Sequence, residues 1–255
     1  MKSRAWAMLG LGVLSGALYL AAGAPLRADD NTVQSCDLPA YLLTTESALP
    51  KVAEKVKSGH LDILVIGSRS STINGSEASA YPARFQAALR EKLPAVEVNV
   101  SVDIQVKKTA EETVGSFVKL MEDKKPTLVV WQTGTVDAMR SIDPDEFRAA
   151  LDEGVVALQN AGAELILMNP QYSPRTETMV SVPPYLDSMR VVAQKYDVPL
   201  FDRFAIMHQW SDAGDFDLFS AVHGVELAKR VHDCLGRALS AFVIDAAHLG
   251  PAQQN

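Results

Sequence analysis

Residues 61–72 read LDILVIGSRSST, and this stretch decides the fold. Six of its first seven residues are aliphatic or glycine, the pattern of a strand covered on both faces, and a hydroxyl-rich turn, Gly67-Ser68-Arg69-Ser70-Ser71-Thr72, closes it. Comparable runs recur at 96–102, 127–132, 164–168 and 199–201. Between them, Phe85, Leu89 and Leu93 repeat at helical spacing, as do Phe147, Leu151, Val155 and Leu158. Asp143, Pro144 and Glu146 read as an N-cap, a first-turn proline and a capping-box partner. Short strands alternating with amphipathic helices predict an α/β fold with a parallel sheet.

The chain of 255 residues suits one folded unit, preceded by a leader. With 47% hydrophobic and 22% charged residues, it is neither disordered, collagen-like nor a multi-span membrane protein. Lys and Arg number 24 against 31 Asp and Glu, a net charge of −7 that repels phosphate backbones, so no nucleic-acid partner is expected. The expected organisation is a signal peptide over 1–28, a lead and helix over 29–60, the main domain over 61–245 and a tail over 246–255.

Lys2 and Arg4 precede an apolar stretch over 5–24 that ends in small residues, the layout of an export signal. Cleavage after Ala28 leaves an acidic start at Asp29, whereas cleavage after Ala24 puts Pro25 beside the cut. The competing reading is an uncleaved membrane anchor, since about 20 apolar residues span a bilayer. Export to a periplasmic or secreted location would place Cys36 and Cys234 in an oxidising compartment, where a Cys36–Cys234 disulfide is the economical pairing and two buried thiols the alternative.

In a parallel sheet, ligands bind beyond the carboxyl ends of the strands. The serine-rich turn after the first strand therefore offers a nucleophile, or else a plain turn and cap cluster. Residues 169–175, Asn-Pro-Gln-Tyr-Ser-Pro-Arg, follow the fourth strand, where Gln171 and Tyr172 either contact a ligand or shape a turn. None of the histidines has metal-ligand spacing with a second donor, and no phosphate-binding loop follows Gly67, so neither metal nor cofactor is expected.

Four segments in order, ILVIGSRSST, YPARFQAALREKLP, VVWQTGTVDA and CLGRAL, resemble an exported SGNH (GDSL-type) hydrolase over about residues 61–240. The resemblance implies a three-layer α/β/α sandwich with a five-stranded, flavodoxin-like sheet, and an activity on acyl esters of lipids, polysaccharides or small molecules. It implies Ser70 as nucleophile if Arg69 is an insertion, with Ser68 and Ser71 as alternatives. Arg69 beside it is either an anion-binding group or a solvated loop charge.

The implied oxyanion donors are the Ser70 amide, Lys107 in a position where glycine is expected, and Val136 where asparagine is expected. Lys107 keeps a backbone N–H, but valine has no side-chain donor, a loss worth roughly 3–4 kcal/mol of transition-state stabilisation. For the base, the ungapped frame places Glu226 where histidine is expected. A three-residue shift places His223 there, preceded by Ser220 and oriented by Asp217.

Two functions follow from this reading. One is an exported ester hydrolase of esterase or deacetylase type, with catalysis impaired. The other is an inactive protein of the same fold that binds an envelope glycan, lipid or protein partner. The expected ligand is a small-molecule, glycan or lipid ester, and a membrane is involved only through an uncleaved leader.

Overall fold

Burial on both faces sets where the strands run. In the computed structural model, which describes residues 36–219 and 224–250, β1 (His60–Gly67), β2 (Glu97–Ile104), β3 (Leu128–Gln132), β4 (Glu164–Met168) and β5 (Leu200–Phe201) form one parallel sheet. The strand order is β2-β1-β3-β4-β5. The expected leader, Ser220, His223 and residues 251–255 lie outside the described residues. Every residue of β3 is buried, whereas β2, at an open edge, has only Val98 buried.

The connecting helices are α1 (Pro50–Lys57), α2 (Tyr81–Lys92), α3 (Ala110–Val114), α4 (Phe117–Lys124), α5 (Thr135–Met139), α6 (Pro144–Asn160), α7 (Pro174–Glu177), α8 (Pro183–Lys195), α9 (Arg203–Asp212) and α10 (Gly224–Ala246). Side chains alternate across the sheet with period two. Ile63, Val65, Val130 and Ile166 join one core with Phe85 of α2, Trp210 of α9 and Leu239 of α10. Leu64, Ile66, Val129 and Leu167 join the other with Phe117 of α4, Leu151 of α6 and Met189 of α8. The result is a three-layer α/β/α sandwich, the arrangement the resemblance implies.

Phe85 and Leu89 are buried in the first core, and Phe147, Leu151, Val155 and Leu158 in the second. At the start of α6, Asp143 accepts from the amide of Asp145 at 2.8 Å, and Pro144 opens the helix. Glu146, expected to complete a capping box, is exposed.

A disulfide joins Cys36 to Cys234 of α10, with Cα atoms 5.3 Å apart. It ties the lead before α1 to the last helix, which the Leu49 amide also meets by donating to the Ala246 carbonyl at 2.9 Å. Among the described residues, no helix is long and apolar enough to cross a membrane.

β2 and β3 lie on opposite sides of β1, so the chain's crossovers diverge at the carboxyl end of β1. This switch point is where an open α/β sheet leaves a crevice. The serine turn sits there, beside the last residue of β3.

Candidate functional site

Gly67 lets the serine turn fold back tightly on β1, since a Cβ there would lie 2.3 Å from Ser71 Oγ. Ser71 is buried and donates to Gln132 Oε1 at 2.7 Å. Gln132, at the end of β3, then donates from Nε2 to Ser68 Oγ at 2.8 Å and Ser70 Oγ at 2.9 Å. Tyr81, at the start of α2, donates its hydroxyl to Gln132 Oε1 at 3.2 Å. One buried amide thus gathers all three serines of the turn.

Arg203, the first residue of α9, completes the cluster from the opposite side. It is fully buried; Nη1 donates to Ser70 Oγ at 3.2 Å and Gln132 Oε1 at 3.0 Å, and Nη2 to the Ser70 carbonyl at 3.2 Å and Gln171 Oε1 at 3.1 Å. The guanidinium also lies 5.5 Å from the Tyr81 ring centroid. Burial lowers its pKa to about 10, still charged at neutral pH, while Tyr81 opposes the shift. Burial raises the Tyr81 phenol in turn.

Asn169, just after β4, sets the start of α9. Its Nδ2 donates to Asp202 Oδ1 at 2.7 Å and its Oδ1 accepts from the Phe204 amide at 2.9 Å, while Asp202 caps the helix by accepting from the Ala205 amide. This bracket aims Arg203 inward. On the other side, His232 of α10 accepts from the Tyr81 amide through Nδ1 at 2.9 Å. Burial, with a contribution from Arg203, pushes its pKa down to about 3, so the ring is neutral with its proton on Nε2.

Ser70 Oγ accepts from Gln132 and Arg203 and lies 3.2 Å from Ser68 Oγ. No carboxylate or imidazole among the described residues touches it. Glu226 is exposed on α10 and paired with Lys229 at 2.8 Å, so the structure does not bring it to the serines. His223 and Ser220 fall outside the described residues, and Asp217 is exposed. Arg69 is exposed, with its carbonyl accepting from the Thr72 hydroxyl at 2.9 Å.

Lys107 is exposed and left-handed, with φ at 61°, the backbone region glycine favours. Its carbonyl accepts from Arg140 Nη2 at 2.8 Å. Asp137 accepts from the Ala110 amide at 2.9 Å and ties α5 to this loop; burial raises its pKa. Val136 lines a crevice with Ser68, Gln105, Lys108 and Gly134 whose volume, about 10 Å³, is near that of one water site. Gln171 and Tyr172 line a separate cavity of about 220 Å³ beside Arg203 and His232.

The non-GDSL lipase-like family model matches residues 35–249. The chain belongs to this family. Solved structures agree on the fold. TesA superposes with a TM-score of 0.57 at 18% identity, over 71% of this chain and 99% of TesA. An acetyl xylan esterase from Geobacillus stearothermophilus gives 0.60 at 18% identity, over 72% and 94%. A G-D-S-L family protein from Desulfitobacterium hafniense gives 0.51 at 15% identity, over 70% and 99%. No curated protein matches the chain. The SGNH resemblance of the sequence therefore holds for both family and fold.

Gln132, Arg203, Tyr81 and His232 were not singled out by the sequence as site residues of this non-GDSL lipase-like protein. Two of them carried a positional signal: Gln132 is the last residue of β3 and Arg203 lies two positions beyond β5, both at the carboxyl edge where ligands bind.

Proposed function

We propose that the protein is an exported member of this hydrolase family that binds an acyl ester, free or carried on a glycan or lipid, with ester hydrolysis impaired. The observation that carries this reading is the state of Ser70 Oγ, which accepts from an amide and a guanidinium and meets no base among the described residues. A serine hydroxyl is a weak nucleophile until a base within hydrogen-bond reach takes its proton. Val136 adds to the deficit, because an isopropyl group supplies no donor to an oxyanion. The Cys36–Cys234 bridge supports export, since such bonds persist in oxidising compartments.

The test is hydrolysis of short-chain nitrophenyl esters by the purified protein and by Ser70→Ala. The expected outcome is equal, near-background rates for both. A rate that Ser70→Ala abolishes would overturn the impaired reading. Val136→Asn is expected to raise any residual rate, and an unchanged rate would remove Val136 from the oxyanion position.

An active exported ester hydrolase is the second reading, and the same two donors favour it. A guanidinium and an amide on Ser70 Oγ stabilise the alkoxide form of the serine. In that reading His223 is the base, and His223→Ala abolishes turnover together with Ser70→Ala.

A further inference from the structure

Arg203 carries a buried charge that none of the hydrogen-bond partners among the described residues neutralises. Its four hydrogen-bond acceptors among the described residues, Ser70 Oγ, the Ser70 carbonyl, Gln132 Oε1 and Gln171 Oε1, are neutral. Its Nε is buried with no partner among the described residues. The neighbouring carboxylate of Asp202 is committed elsewhere, to Asn169, the Ala205 amide and Arg190. A buried cation without a counter-charge and with an unmet N–H is costly, so an anion that reaches it is held strongly.

The way in is the 220 Å³ cavity beside it. Its walls combine Gln171, Tyr172 and His232 with apolar Met207, Leu227 and Val231, and none of its described lining residues is acidic. Guanidinium geometry makes the opening specific. Nε–H and one Nη2–H point the same way and form a fork that matches the two oxygens of a carboxylate. On Arg203 Nε is unpartnered among the described residues, and Nη2 is shared between the Ser70 carbonyl and Gln171 Oε1, the latter on a partly exposed side chain of the loop after β4. His232, neutral with its proton on Nε2, contributes a donor rather than a competing acceptor.

We propose that this cavity receives a carboxylate borne on an apolar chain, its headgroup replacing Gln171 Oε1 on the Nε–Nη2 edge of Arg203 and its chain lying against Met207, Leu227 and Val231. The readout is binding, so it stands apart from whether Ser70 turns esters over.

Calorimetric titration of the purified, disulfide-intact protein with octanoate, 1-octanol and acetate tests it. Octanoate is expected to bind, with octanol and acetate each weaker by about tenfold or more. Gln171→Glu supplies a carboxylate from the chain itself, so it is expected to raise Tm and weaken octanoate by about tenfold or more. Arg203→Met is expected to lose octanoate as well; if that variant does not fold, Gln171→Glu decides. No octanoate binding, equal affinity for octanol, or wild-type octanoate affinity in Gln171→Glu would each overturn the assignment.

Discussion

Gln132 uses both ends of its amide on neighbours drawn from three parts of the chain, the serine turn, α2 and α9. Removing it leaves Ser71, Tyr81 and Arg203 without a shared acceptor inside the protein. Gln132→Leu keeps the volume and loses those bonds, so a loss of about 3 kcal/mol is expected in urea denaturation. His232 gives the same cluster a pH signature. Its folded pKa is about 3 against an ordinary 6.5, so below pH 6.5 the unfolded chain binds a proton that the folded chain refuses. The stability tied to this group is complete above pH 6.5 and falls by about 1.4 kcal/mol per pH unit toward 3. His232→Gln is expected to flatten that part of the acid limb, measured as the difference in urea midpoint between about pH 7 and about pH 5. An acid limb as steep as the wild type's would remove His232 from this role.

At the scale of elements, the crossing of α10 over α2 rests on Gly236, where a Cβ would lie 2.6 Å from the Phe85 amide nitrogen. Gly236→Ala must push the two helices apart, and a loss of about 1–3 kcal/mol in thermal or urea denaturation is expected. That close approach was invisible in the sequence, because nothing near Gly236 records what crosses it. The strands were legible for the opposite reason. β1, β3 and β4 are almost wholly buried, so their apolar runs match their bounds closely, whereas β2 at the edge carries polar residues and runs to Ile104, past the end of its run at 102. The serine turn was legible as well, since its position after β1 is local information. Arg203 and His232 were not. Arg203 reads as an ordinary helix-start residue, and His232 meets the Tyr81 amide across 151 positions. Gln132 ends an apolar run and looks like its solvent edge, yet it is buried.

At the scale of the whole molecule, the disulfide closes nearly the entire described chain into one loop, a separation of 198 residues. In the chain-entropy model a loop of that length contributes roughly 5 kcal/mol by restricting the unfolded state. Replacing both cysteines by serine is expected to lower the urea midpoint by a corresponding margin, with the far-ultraviolet circular dichroism of the folded state unchanged. A midpoint unaffected by the replacement would show that the bridge does not restrict the unfolded chain as described.

The family fold is retained here, and among the described residues Ser70 Oγ meets Gln132 and Arg203 and no base, which is the ground for the impaired hydrolysis proposed above. Intact-protein mass spectrometry after exposure to a fluorophosphonate, with Ser70→Ala alongside, tests that claim most directly. The account predicts no adduct on either protein; a stoichiometric adduct on the wild type that Ser70→Ala loses would contradict it.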